Sequence, residues 1–302
     1  MKRFHHFVFV FAAVALLLTA HPLNAQNQGQ NCSNLVINHS FTQGFEGFLN
    51  EGGGPVPTAG AGFVTFLPHG MVKGQVTLAI GGPIGLLRDL VFDNTSSSYS
   101  LSWDTTKTPA ICSGTMTLIV KNGPVFDFQL LVTQDGQQIE MIHTDPGLIV
   151  GVTGFPVDIP GCSNTTLNGK YSYNTKGWAL APPGVPPALA GYIPLAMSGA
   201  IEFHPRVSPP STSGFVVWWD TASANGIIVP RTGTGSYKVN PDCTGTMVLT
   251  DPTLGQVFNL ELFVGKHGEA PYLLNIDTVP VPGSPLPVIL SSALSRVDRE
   301  SH

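Results

Sequence analysis

The sequence predicts an all-β protein: two tandem antiparallel β-barrels of about eight strands each, after an N-terminal signal peptide. Three observations carry that reading. Apolar residues alternate with a period of two, glycine and proline punctuate the chain, and blocks of sequence return in order roughly 131 residues later. Gly 34 and Pro 26 make up about a fifth of the 302 residues, while hydrophobic residues hold 42% and charged residues 11%. That apolar content excludes a disordered chain. A net charge of −5 with no basic run excludes electrostatic binding of nucleic acid.

The first element is a targeting segment. Lys2 and Arg3 precede the apolar run Phe7 to Leu18, and Ala25 offers a cleavage site before Gln26. This is the pattern of a signal peptide over residues 1–25, too short in its apolar run to span a bilayer. The expected destination is outside the cytoplasm: secreted, periplasmic or at the cell surface. No later stretch reaches 18 consecutive apolar residues, so no transmembrane helix is expected.

The repeat defines the next elements. CSNLVIN at Cys32 returns as CSNTTLN at Cys162, an offset of 130. CSGTMTL at Cys112 returns as CTGTMVL at Cys243, an offset of 131, and the block from Gly123 returns from Gly255, an offset of 132. Copy one is expected over residues 32–154, a linker over 155–161 (FPVDIPG) and copy two over 162–302. Each is long enough to bury a core of its own. In copy one, strands are expected at Gly62–Phe66, Gly74–Ile80, Leu86–Phe92, Ser98–Trp103, Thr115–Val120, Pro124–Val132, Gln138–Thr144 and Gly147–Val152. Copy two offers GKYSYN, SGAIEF, GFVVWW, GSYKVN, GTMVLT, QVFNLELFV, YLLNID and PVILSSAL. About eight strands can close on themselves and remove their edges, which favours barrels; a pair of β-sandwiches is the alternative.

Four cysteines allow three pairings, and the repeat chooses among them. Cys32 and Cys112 are 80 residues apart, and Cys162 and Cys243 are 81 apart. One disulfide within each copy is the simplest arrangement, and it suits an oxidising compartment. The spacing is unlike that of a redox or zinc pair.

A resemblance follows from copy two. GSYKVNPDCTGTMVL (Gly235–Leu249) resembles the G-[ST]-Y-x-V-N-x-D-C-T-G-T signature of uncharacterised small secreted bacterial β-barrel proteins. CSNTTLNGKYSY resembles their opening, and PLAMSGAIEF resembles the segment before their glycine-turned hairpin. Copy one departs from the pattern, with 12 residues between Tyr99 and Cys112 where Tyr237 and Cys243 enclose five. The resemblance implies a lipocalin-like or allene-oxide-cyclase-like barrel and carries no activity with it.

Candidate functional residues are few. The G-x-S-x-G, H-E-x-x-H, Walker and G-x-G-x-x-G patterns do not occur. His143 with Asp145, and Glu202 with His204, each share a strand face. Asp145 recurs as Asp277 while His143 becomes Asn275, so these acids are read as strand-end acceptors. Glu202 and His204 are read as a solvated strand end. Trp218–Gly226 (WWDTASANG) supplies oxygens at Asp220, Ser223 and Asn225 but reads as a hairpin rather than a calcium loop, since position twelve counted from Asp220 is Arg231. Tyr99, Trp103, Trp218, Trp219 and Tyr237 are the ligand-contact candidates, with Trp218 and Trp219 necessarily on opposite sheet faces. No catalytic residue, metal ligand or cofactor is assigned. The composition favours a secreted binding or surface-interaction protein for a small molecule or surface component. A cyclase- or isomerase-like enzyme and a 16-stranded outer-membrane barrel are the alternatives.

Overall fold

The computed structural model describes residues 31–50, 54–81, 84–157, 161–181, 184, 186–187, 191–205, 213–253, 255–277 and 288–297. The signal segment expected over residues 1–25 lies outside them. Copy one contributes β1 (Ser40–Asn50), β2 (Pro55–Phe66), β3 (Val72–Ile80), β4 (Gly85–Val91), β5 (Ser98–Asp104), β6 (Ile111–Ile119), β7 (Val125–Val132), β8 (Ile139–His143) and β9 (Leu148–Val157). Copy two contributes β10 (Gly169–Leu180), β11 (Tyr192–His204), β12 (Gly214–Ala224), β13 (Ile227–Val239), β14 (Thr244–Asp251), β15 (Gln256–Phe263), β16 (Tyr272–Asn275) and β17 (Val288–Arg296). The fold is all-β, and every ladder between these strands is antiparallel.

Copy two is a closed barrel of eight strands in chain order, with β17 returning to β10. Copy one differs from the expected closed barrel. It is a nine-stranded sheet in the order β4-β3-β2-β1-β9-β8-β7-β6-β5. The reason lies at Asp93. Its Oδ1 accepts from the Thr95 N–H at 3.0 Å and hydroxyl at 2.7 Å, and its Oδ2 accepts from Ser96 at 3.0 Å. This Asx turn splits into β4 and β5 the stretch that copy two spans with β13 alone. β4 pairs with β3 and β5 with β6, and isolated bridges Met71↔Ser98 and Phe92↔Val120 tie the two ends of the sheet. Since the strands divide between two sheets, a single ring of sixteen is not formed.

Both predicted disulfides are present, Cys32–Cys112 and Cys162–Cys243, with Cα atoms 6.0 and 4.9 Å apart. Two disulfides fit an oxidising, extracellular compartment. Among the described residues no helix is long and apolar enough to cross a membrane. The expected linker starts later than residue 155, because Phe155–Val157 extend β9 along β1 as far as Ser40↔Val157. β8 stops pairing at Gly154, so the missing N–H of Pro156 costs the sheet nothing on that side.

The two copies are packed against each other. Ala59, Ala61 and Phe63 on the outer face of β2 join one apolar cluster with Phe263, Tyr272, Leu274 and Ile289 of copy two. Small residues let the sheets approach: a Cβ on Gly44 would sit 2.2 Å from the Tyr272 ring. The Tyr272 hydroxyl crosses the seam to donate to the Thr153 carbonyl at 2.8 Å, and Ser291 Oγ donates to the Phe45 carbonyl at 2.9 Å.

Candidate functional site

Each copy surrounds a cavity. The one in the closed barrel has a volume of about 210 Å³ and is walled mainly by apolar side chains such as Ile201, Leu260, Leu273 and Leu290. Thr175, Gln256, Asn275 and Ser292 also line it, and its charged pair comes from a hairpin. Asn225 and Gly226 take φ of 48° and 83°, the left-handed pair that a two-residue primed turn requires. The resulting register sets Ala224 against Ile227, Asp220 against Arg231 and Trp218 against Gly233. Gly233 has no side chain to obstruct the Trp218 indole, which lies so close that a Cβ there would be 2.8 Å from two ring carbons.

Asp220 and Arg231 meet inside the barrel as a two-bonded pair. Arg231 Nε donates to Asp220 Oδ1 at 2.9 Å and Nη2 to Oδ2 at 2.6 Å. Their side chains are 2% (Asp220) and 10% (Arg231) exposed. The guanidinium lies 5.5 Å from the ring centroids of both Trp218 and Phe258, cation–π geometry that holds it in place. Tyr173 on β10 donates its hydroxyl to Asp220 Oδ2 at 2.8 Å. Burial raises the Tyr173 pKa, and the neighbouring Asp220 charge raises it further, so the phenol stays a donor. Trp218 Nε1 is buried and has no hydrogen-bond partner among the described residues.

The second cavity lies in copy one. Its volume is about 300 Å³, and its walls are almost wholly apolar, including Leu78, Ile80, Phe126 and Val152. Gln43, 3% exposed, is its amide-bearing residue.

Of the five aromatic candidates, the structure brings Trp218 to a cavity wall. Trp219 points outward, 39% exposed, with Lys170 Nζ 5.1 Å from its ring. Their opposite faces follow from strand geometry, as the sequence predicts. Tyr237 is buried, donating to the Asn164 and Leu167 carbonyls at 2.9 Å and meeting Phe203 edge-on. Tyr99 holds the corresponding place in copy one, its hydroxyl 3.2 Å from the Leu67 carbonyl. Trp103 is half-buried against the core of copy one. Neither cavity is lined by Trp103, Tyr99 or Tyr237.

The remaining polar candidates are structural in geometry. Asp145 Oδ2 accepts from the Asp127 N–H at 2.9 Å, and Asp277 Oδ2 accepts from the Asn259 N–H at 2.7 Å. These are the same bond in the two copies, between a strand end and its neighbour. His143 Nε2 lies 3.1 Å from Asp145 Oδ2, with the ring buried between Phe126 and Phe128. Glu202 and His204 face each other at 3.4 Å on a partly exposed strand end. Among the described residues no group of three His, Cys, Asp or Glu side chains converges to hold a metal.

The chain matches no protein-family model, and no curated protein matches it. The Gly235–Leu249 signature has a local physical role. Tyr237 anchors β13, Asp242 Oδ1 accepts from the Thr244 N–H at 3.1 Å, and Cys243, at φ 66°, closes the β13–β14 turn with its disulfide. It holds a hairpin and contributes nothing to either cavity wall beyond Leu249.

Sequence reasoning weighed Asp220 and Arg231 only for a calcium loop and missed their pairing, and it missed Tyr173 altogether. The signal was present: with Asn225-Gly226 as a two-residue turn, paired positions sum to 451, and 220 plus 231 is such a pair.

Proposed function

We propose that the protein is an exported, non-catalytic binding protein whose copy-two barrel encloses a small neutral molecule bearing one hydrogen-bond acceptor. The observation that carries this is the saturated polar cluster inside an apolar barrel. Asp220 receives two bonds from Arg231 and one from Tyr173, which leaves it neither a free base nor an anion in search of a cation. The guanidinium is neutralised in the same way, so a charged ligand gains nothing there to offset its desolvation. Trp218 Nε1 is a buried donor on the cavity wall with no hydrogen-bond partner among the described residues, which makes it the group we read as recognising a ligand. Mainly apolar walls with a few placed polar groups are the usual composition of a small-molecule site.

Size narrows the ligand class. A dry cavity of about 150 Å³ accepts benzene. The 210 Å³ here suits a single ring with a short carbonyl substituent. Calorimetric titration with acetophenone tests the reading. Binding is expected, and Trp218→Phe should weaken it about three- to tenfold, the worth of one hydrogen bond. Equal affinity in the two proteins, or no binding at millimolar ligand, refutes it.

The proposed kinship with secreted bacterial barrel proteins rests on the Gly235–Leu249 signature, and export rests on the Lys2-to-Ala25 segment together with the two disulfides. The nine-stranded sheet of copy one is read as a second barrel with one interrupted stave, since its two ends are bridged at Met71↔Ser98 and Phe92↔Val120.

A further inference from the structure

The two cavities occupy equivalent places in the repeat, yet their chemistry differs at three matched positions. Gln43 lies opposite Gly62, Gly62 opposite Val76, and Val76 opposite Leu90. In copy two, Tyr173 lies opposite Gly199, Gly199 opposite Asp220, and Asp220 opposite Arg231. The offset of 130 that relates Cys32 to Cys162 also relates Gln43 to Tyr173. Val76 and Leu90 therefore stand where copy two has its ion pair, and Gln43 stands where copy two has its phenol.

This replacement has a consequence for Gln43. Tyr173 reaches Asp220 past the side-chain-free Gly199, while Gln43 in the matching place has Val76 and Leu90, neither of which carries a side-chain polar atom. Gln43 is 3% exposed, and its Oε1 has no hydrogen-bond partner among the described residues. A buried amide oxygen left in that state is costly, and a ligand hydroxyl that reaches it recovers the cost. Apart from Thr58, whose hydroxyl turns to the Val56 carbonyl at 3.5 Å, the rest of the wall is apolar, so a charged or strongly polar ligand is excluded by desolvation.

We propose that the copy-one cavity is a second binding site, distinct from that of copy two, for a neutral bicyclic-sized alcohol or phenol whose hydroxyl donates to Gln43 Oε1. Its volume of about 300 Å³ is twice that of a benzene-sized cavity, which sets the two-ring size. The two copies thus select opposite hydrogen-bonding partners: an acceptor at Trp218 and a donor at Gln43.

The test uses the full chain with methyl-labelled isoleucine, leucine and valine, titrated in NMR with 2-naphthol, naphthalene and 2-methoxynaphthalene. Methyls of Leu78, Ile80 and Val152 report the copy-one cavity, and those of Ile201, Leu273 and Leu290 report the copy-two cavity. The proposal expects 2-naphthol to shift the first set and to bind there about three- to tenfold more tightly than the other two compounds. Gln43→Leu should abolish that preference while naphthalene still binds, and Gln43→Met serves the same purpose if the leucine variant fails to fold. Three results overturn the proposal: no shift of the copy-one methyls up to ligand saturation, equal affinity for naphthol and naphthalene, or a preference that survives both Gln43 variants. Shifts confined to the copy-two methyls also overturn it and leave the acetophenone reading of that barrel standing.

Discussion

Replacing Asp220 by alanine should be among the most damaging single changes in copy two. The substitution leaves Arg231, 10% exposed and fixed between Trp218 and Phe258, without its two carboxylate bonds. It also strips the Tyr173 hydroxyl of its acceptor. Breaking a buried pair by removing one partner costs about 3–5 kcal/mol, most of it from the charge left behind. The reverse should hold when both charges go. Asp220→Leu with Arg231→Met keeps the volume apolar and should fall within about 2 kcal/mol of the wild type, on either side. Asp220→Leu alone, Arg231→Met alone and the double form a cycle whose coupling energy should exceed about 2 kcal/mol. Urea denaturation with the disulfides intact, followed by tryptophan emission, reads it out; three of the four tryptophans lie in copy two. An Asp220→Ala protein within about 1 kcal/mol of wild type, or a coupling near zero, would refute the claim that the pair is a closed, mutually dependent unit.

Three further predictions concern the frame around the cavities. Gly44→Ala should destabilise by about 1–3 kcal/mol, because the new methyl meets the Tyr272 ring and forces it off its bond to Thr153; a urea midpoint equal to wild type contradicts the seam. Glu46 sits at that seam with a pKa pushed up to about 7 by burial, against the opposing pull of bonds to Ser291 and Thr175 and of the Lys176 charge. Its folded pKa lies above the unfolded value, so it contributes most stability below about pH 4.5, and that contribution is lost as pH rises through 7. The melting temperature should therefore fall between pH 5 and 8, by the equivalent of on the order of 3 kcal/mol, and Glu46→Gln should flatten the slope; an identical slope in the variant rejects the assignment. Serine at both Cys162 and Cys243 should cost about 4–5 kcal/mol, the chain-entropy value for an 81-residue loop; guanidinium unfolding that shifts by less than about 1 kcal/mol would contradict it.

The period-two blocks made the all-β class readable and the repeat made both disulfides readable, because each cysteine had a partner at a near-constant offset. The open ladder of copy one was harder to see. It depends on Asp93 gathering Thr95 and Ser96 into a turn, and a short D-N-T-S-S run does not announce that a strand is being cut in two. β1 was overlooked because SFTQGFEGFLN mixes glycines and a glutamate into its pattern. Gly44 and Glu46 face copy two, so their identities answer to the seam rather than to solvent. The aromatic residues were a poor guide to the cavity. Rings such as Tyr99 and Tyr237 fill the core with their hydroxyls on backbone carbonyls, and nothing in their spacing separates that use from ligand contact. The hairpin arithmetic around Asn225-Gly226 was the better signal, since a two-residue turn fixes register and register fixes which side chains meet.

The most direct test of the binding account is a crystal structure of the full chain soaked in acetophenone. The account predicts difference density for one ring inside the copy-two barrel, its carbonyl oxygen about 2.9 Å from Trp218 Nε1 and the Asp220–Arg231 pair undisturbed. A barrel interior without ligand at saturating concentration would contradict it, as would a ring bound with its carbonyl turned away from the indole.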